Sequence, residues 1–299
     1  MFKYPSVSPP ALTGIPSLDS YLATVERPVN GSVISINGPL GSGKTHLLYF
    51  LVATCVLPAN HLSLPVGGWN KAAFILDLDG HFQISRFHDI LVNRLQQFLP
   101  TLDVTSCVER CLSYTHIFRP TSSGHLAATL LHLQRYHTKH CPDVDLGMVA
   151  VHSIGAFMWF DRFTAEQLRS TSAKVGAMPS LEIFSSLERL RVDNGLSIVL
   201  TDWGLSQQVQ SASNVTQYQS DDSEYASTST YPEVVDISAS LTQAFTNSTS
   251  ALHHISLKSV GRPSKSDKSG EMLWIVRVSD TSRYGIVAGQ IMTHGMVVK

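Results

Sequence analysis

Apolar positions along the chain fall into two alternating kinds of stretch. Short runs of branched and aliphatic residues, at Val33 to Asn37, Ala72 to Leu78, Leu146 to His152 and Leu196 to Thr201, stop at turn-forming or polar residues and predict buried strands. Because these runs are apolar at successive positions rather than at alternate ones, they suit parallel strands covered on both faces. Between them the apolar period lengthens to that of a helix. His46 to Ala53 can run as one, and Ile84, Phe87, Leu91, Leu95 and Phe98 mark a core-facing stripe up to Pro100. Arg86 and Arg94 are expected on its wet side. Residues 104–112 read as a short helix, Tyr114 to Arg119 as a strand, and Ser123 to His137 as a helix with Leu126, Leu130 and Leu133 inward. Pro179 to Asn194 is a further helix, ended by Gly195, a good residue just past a C-cap. Strands alternating with helices predict an α/β fold: a mostly parallel sheet with crossover helices.

The ends of the chain read differently. Residues 1–10 carry three prolines and no period, which predicts a flexible arm, and Thr13 to Leu22 begin with turn chemistry and continue as a short helix. From about residue 205 to 250 Ser, Gln, Thr and Asp dominate and a long polar loop is expected. Leu252 to Val260 and Glu271 to Val278 then read as strands around a basic tip, followed by Tyr284 to Ala288 and Gln290 to Val298, which together predict a β-hairpin extension. Residues 11–299 are taken as one domain.

Charged residues make up 15% of the chain, against about 25% in a typical soluble domain. Either a partner covers part of the surface or Ser and Thr take over its solvation. With a formal net charge of −1 no global basic field draws in nucleic acid, so a DNA contact must come from a local patch. The four cysteines, at 55, 107, 111 and 141, read as reduced thiols of a cytosolic or nuclear protein. Cys107 and Cys111 with His116 have the residue types of a zinc site, but at helical spacing on an apolar face they are expected to pack as small hydrophobes. The longest apolar run, Leu47 to Leu57, is too short to span a bilayer, and no membrane partner is expected.

The chemistry is concentrated in Gly38-Pro39-Leu40-Gly41-Ser42-Gly43-Lys44-Thr45, which reads G-x-x-x-x-G-K-T between a strand and a helix. Gly38, Gly41 and Gly43 let backbone N–H groups turn toward one point without Cβ collisions, and Ser42 lies among them. The following helix start adds its dipole. In this reading ATP is the ligand, Lys44 reaches its outer phosphates, and the Thr45 hydroxyl ligates Mg²⁺ through the nucleotide.

The order of these words resembles the RecA-family recombinase paralogues of homologous recombination. Thr13-Gly14-Ile15-Pro16-Ser17-Leu18-Asp19 looks like the entry motif of that family, a short distance before the phosphate loop. Phe74-Ile75 with Asp79, His81 and Phe82, then Ser153-Ile154-Gly155-Ala156-Phe157 with Trp159, Asp161 and Arg162, continue the likeness to about residue 205. The resemblance implies a RecA-like phosphate-loop core and a nuclear role in double-strand break repair. It further implies a heteromeric complex with another recombinase paralogue and single-stranded DNA reached through that complex.

The positions that would use the nucleotide depart from the family pattern. Asp79 stands where a glutamate polarises the attacking water, one methylene shorter; it is a weak catalytic candidate or a helix cap. His152 stands where an aspartate orients Mg²⁺-bound water, and is expected to be a hydrogen-bonded residue at the core edge. Thr201, with Asp202 beyond it, replaces an amide that senses the terminal phosphate; its hydroxyl could bond a phosphate oxygen, whereas Asp202 would repel one. An intact cradle with altered catalytic positions predicts ATP binding with weak or absent hydrolysis.

Candidate DNA contacts are Arg162, Arg169 and Lys174 on a loop after Ala156, with Phe157, Trp159 and Phe163 nearby, and Arg262, Lys265 and Lys268 on the basic tip. Two alternatives stay open. In a phosphate-loop nucleoside or nucleotide kinase, Asp161 and Arg162 would form the catalytic pair, although residues 206–230 lack the arginines of a lid. In a non-enzymatic scaffold the loop would be only a structural turn.

Overall fold

A computed structural model gives the architecture. It describes the backbone of residues 13–15, 18–19, 31–100, 102–170, 179–202, 252–259, 270–278, 284–292 and 295–298. The first strand, β1 (Val33–Asn37), runs into the phosphate loop and α1 (Lys44–Val56). A small ribbon of β2 (Asn60–His61) and β3 (Leu64–Pro65) precedes β4 (Ala72–Asp77), α2 (Ile84–Phe98), α3 (Thr105–Ser113) and the edge strand β5 (Thr115–Phe118). Then come α4 (Ser123–His140), β6 (Leu146–His152), α5 (Met158–Ser170), α6 (Pro179–Asn194) and β7 (Ser197–Asp202). The chain closes with β8 (Leu252–Ser259), β9 (Gly270–Val278), β10 (Tyr284–Met292) and β11 (Gly295–Val298).

Nine of these strands form one sheet in the order β11-β10-β9-β8-β1-β7-β6-β4-β5. The six from β8 to β5 are parallel, and β9 to β11 continue as an antiparallel meander. This is the mostly parallel α/β sheet expected from the alternation of elements, in agreement with the RecA-like core that the resemblance implies. Period 2 divides each central strand between two cores. Ile34, Ile36, Ala73, Ile75, Met148, Ala150 and Val199 face α1, α2 and α3, whereas Val33, Phe74, Leu76, Val149, Val151, Ile198 and Leu200 face α4 and α6. A sheet buried on both faces explains why the strand runs carry no polar side.

Two expectations change. Arg94 is buried rather than wet, at 8% exposure. Its Nη1 donates to the Thr54 hydroxyl (2.7 Å) and the Phe50 carbonyl (3.1 Å), and its guanidinium lies 4.1 Å from the centre of the Phe50 ring. Burial lowers its pKa to about 10. The stripe is rotated from its sequence reading, for Ile84 and Phe98 at its ends are nearly half exposed while Ile90 is buried. Thr54 in turn donates to the Thr13 carbonyl, and Asp19 accepts from the Thr13 amide and hydroxyl, so Arg94 sits under the entry motif. Arg94→Ala is expected to cost about 2–3 kcal/mol through unmade hydrogen bonds and lost stacking, read as a lowered urea midpoint. An unchanged midpoint would show that Arg94 carries no such weight.

Second, the segment after Ala156, expected as a loop, is the helix α5. The arm at 1–10, the polar stretch 205–250 and the basic tip lie outside the described residues.

Candidate functional site

The carboxyl ends of β1, β7, β6 and β4 lie side by side in the sheet, Asn37 opposite Asp202 and Asp77 opposite His152. Ligands of open parallel α/β sheets collect at that edge. Here the phosphate loop leaves β1. Gly38 must lack a side chain, since a Cβ there would come within 2.6 Å of Ser42 Oγ and 2.8 Å of the Leu257 carbonyl on the neighbouring β8. Gly43 caps α1 in the left-handed region, at φ 88°, which turns the first amides of the helix toward the loop. Lys44 folds over the loop, its Nζ donating to the carbonyls of Gly38 (2.7 Å) and Pro39 (2.8 Å). Burial lowers its pKa, opposed by the charge of Asp202. Ser42 Oγ is buried with no partner among the described residues, a donor left over in the cradle.

Beside the loop stands a network on β4 and β6. The His152 ring places Nε2 3.1 Å from Thr45 Oγ1 and donates through Nδ1 to Asp79 at 2.9 Å, with Asp77 at 3.4 Å. Asp77 also accepts from the Phe82 amide at 3.2 Å and from Arg119 Nε at 3.3 Å. Asp79 accepts from the Ser153 hydroxyl and the His81 amide. Ser153 is held in the left-handed region, at φ 62°, and its amide donates to Thr201 Oγ1 at 2.8 Å. A strained residue at a strand tip persists only where its surroundings over-determine it, and the bonds to Asp79 and Thr201, with the Ala156 amide on its carbonyl, do so here.

This geometry decides several sequence readings. Asp79 does not cap α2; its part-exposed carboxylate accepts from His152 and Ser153. Burial would raise its pKa, but those hydrogen bonds outweigh it and hold the carboxyl well below the usual carboxylate range. His152 is not isolated at the core edge. Burial would lower its pKa, yet the hydrogen bonds and charges of Asp77 and Asp79 push it up to about 9. Thr201 is buried, and its hydroxyl supports the turn after β6. Sequence reasoning missed Asp77, Arg119 and Ser153. The signal for Asp77 is one carboxylate inside an otherwise apolar buried run, which needs partners.

The family resemblance implies Mg²⁺ at Thr45. Such an ion asks for the hydroxyl oxygen and for anionic support around it. What stands against Thr45 Oγ1 is the Nε2 of the His152 ring. Thr45 supplies an oxygen and Asp77 and Asp79 stand behind the ring, while the ring nitrogen itself is not the oxygen ligand that Mg²⁺ prefers.

The coupling of His152 and Asp79 predicts a pH profile. Because the folded pKa of His152 lies above its ordinary 6.5, its stabilisation is full below pH 6.5 and is lost as pH rises toward about 9. At 1.36 kcal/mol per pKa unit the loss is about 3 kcal/mol. Asp79 acts oppositely, its contribution being present above its ordinary 3.8 and lost on further acidification. The charged groups facing the ring are Asp77 and Asp79, with Arg119 behind the first and His81 against the second. Urea midpoints from pH 6 to 9.5 are expected to fall in the wild type and to flatten in His152→Gln. Equal slopes would contradict the pairing.

The remaining candidates are dispersed. Arg162 lies on α5, with Nε 3.2 Å from Glu166, and its guanidinium packs 5.8 Å from the Trp159 ring centre. Asp161 accepts from the Ser123 hydroxyl at the start of α4, so Asp161 and Arg162 are engaged elsewhere and do not form the kinase pair. Arg169 is placed on α5 by its backbone. Lys174, Arg262, Lys265 and Lys268 lie outside the described residues. Trp159, Phe160 and Phe163 are 57%, 68% and 60% exposed on one side of α5, whereas Phe157 packs against the core. Cys107 and Cys111 are buried on α3, and His116 instead meets Cys141 Sγ at 2.9 Å. Among the described residues no helix is long and apolar enough to cross a membrane.

No family model matches the chain. It is 31% identical over 140 residues to the DNA repair protein XRCC2 of Mus musculus, a match covering 47% of this chain and 46% of that protein. It is 28% identical over 162 residues to the DNA repair protein XRCC2 homolog of Arabidopsis thaliana, covering 45% and 43%. The chain thus spans about half the length of the curated relatives it matches. These matches and the parallel sheet support an XRCC2-like recombinase paralogue with a RecA-like core.

Proposed function

We propose that this XRCC2-like chain is a nucleotide-binding subunit in DNA repair by homologous recombination. It holds ATP in the loop from Gly38 to Thr45 with weak or absent hydrolysis. It assembles in the nucleus with another recombinase paralogue and reaches single-stranded or damaged DNA through that complex. The observation that carries the reading is the contrast at one sheet edge. The loop has its glycine geometry, its lysine and a spare buried hydroxyl, while Asp79 and His152 are hydrogen-bonded to each other. A general base must reach the proton it abstracts, and a carboxylate already accepting from a histidine and a serine is a poorer base than a free one. The two relatives are named as DNA repair proteins, which supports the biological setting.

Purification of the tagged full-length chain from cells tests the assembly. A recombinase paralogue is expected to co-purify in stoichiometric amount, and single-stranded DNA binding is expected for the complex at higher affinity than for the chain alone. Recovery of the chain as a monomer without such a partner would overturn it. A bound ligand raises apparent stability. A thermal shift with ATP therefore separates this reading from a scaffold with a vestigial loop.

A further inference from the structure

We infer that Cys141 is a peroxide-reactive thiol with His116 as its base, on the outer flank of the sheet away from the phosphate loop. The thiol lies just past α4, and the imidazole comes from the edge strand β5. Their Sγ and Nε2 are 2.9 Å apart. On the other side of the ring Nδ1 is 3.0 Å from the Tyr136 hydroxyl, so a nucleophile, a base and a group that orients the base stand in line. Among the described residues no other cysteine meets a ring nitrogen. Cys55 donates to the carbonyls of Lys71 and Ala72, Cys111 donates to that of Val56, and Cys107 lies beside Cys111. A carbonyl cannot take the proton away.

The surroundings hold this line in place. Tyr136 is stacked on His140 at 4.3 Å between ring centres and stands edge-on to Phe74 and Phe118 at 5.7 and 5.0 Å. The turn that carries the thiol is closed by the Val144 amide on the Cys141 carbonyl (3.4 Å) and by His137 Nε2 on the Val144 carbonyl (2.8 Å). Burial raises the pKa of Cys141, and burial with the charges of His140 and His137 lowers that of His116. The resting pair is therefore a neutral thiol donating to Nε2, with Nδ1–H donating to Tyr136. With a hydroperoxide as co-reactant, Sγ attacks one peroxide oxygen, and the S–O bond forms as the O–O bond breaks. The thiol proton passes through Nε2 to the departing oxygen. Sulfur is oxidised to a sulfenic acid and hydrogen peroxide is reduced to water. The added oxygen does not fit in the 2.9 Å between Sγ and Nε2, so oxidation breaks the pair that ties the end of α4 to β5.

Cys107 supplies the control within the same molecule, since it is 5% exposed and Cys141 6%, and only Cys141 has a base. The test treats the full-length chain with hydrogen peroxide and dimedone, which caps sulfenic acids, and follows each cysteine by peptide mass spectrometry. Cys141 is expected to be capped at least about tenfold faster than Cys107, within what a positioned base supplies. In His116→Gln its rate is expected to fall to within about threefold of that of Cys107. Tyr136→Phe keeps the ring and removes the orienting hydroxyl, and is expected to slow Cys141 about threefold or more while Cys107 is unchanged, whereas mere loosening of the fold would speed both. Should a variant lose its fold by circular dichroism, the wild-type comparison stands by itself. A ratio of Cys141 to Cys107 below about tenfold in the wild type, or an unchanged Cys141 rate in either folded variant, would overturn the inference.

Discussion

Lys44→Ala is expected to weaken ATP binding by about two orders of magnitude, because two charge-assisted hydrogen bonds to phosphate at about 1.5 kcal/mol each are lost. In the structure the amine already spans the loop, bonded to the Gly38 and Pro39 carbonyls, so it needs only to exchange those partners for phosphate oxygens. Its loss also leaves Asp202 without the cation whose charge it feels, and that carboxylate would then repel the ligand. Folding should be little affected, since both lysine bonds end on loop carbonyls at the molecular edge. The urea midpoint without ATP is expected within about 1 kcal/mol of wild type, as for changes away from the core. Calorimetric titration of wild type and variant checks both parts. Undiminished affinity in the variant would remove Lys44 from the site.

The largest effect on stability is expected at Asp77, where Asp77→Ala should cost about 3–5 kcal/mol. The carboxylate is 1% exposed and gathers the buried Phe82 amide and the His152 ring, which cannot find water, together with the Nε of the more exposed Arg119. Removing it leaves the imidazole with Asp79 alone and frees the turn that carries residues 78–82. Asp77→Asn keeps an acceptor without the charge and should cost about 1–2 kcal/mol, nearer to one neutral hydrogen bond. Denaturant unfolding of the two variants reads the order directly. An Ala variant within 1 kcal/mol of wild type would mean that the network does not hold this edge of the sheet.

Much of the architecture was legible in the chain because strands buried on both faces declare themselves as continuous apolar runs. Val33–Asn37, Ala72–Asp77 and Leu146–His152 fall where their runs predict. The phosphate loop was legible for a different reason: its glycines serve local backbone geometry that one stretch of sequence specifies by itself. The errors arose where tertiary packing overrode local pattern. Arg94 lies at helical spacing that suits solvent, but it turns inward because Thr54 and the Phe50 carbonyl offer acceptors on α1. The aromatic residues of α5 obscured a helix because Trp159, Phe160 and Phe163 are exposed, so apolar residues do not mark its buried face. His152 read as an isolated substitution because its partners come from β4 and the loop, 73 or more residues away. A pairing made by sheet register leaves no trace in local spacing.

The reading that follows is of a loop that binds and a neighbourhood that does not consume. Its most direct test is to mix the purified chain with ATP and follow binding and phosphate release in the same sample, with Lys44→Ala as the control. The account predicts saturable binding near one nucleotide per chain with no phosphate release beyond the control. Steady turnover at about 1 per second or faster, in the range of working enzymes, and abolished by Lys44→Ala, would contradict it.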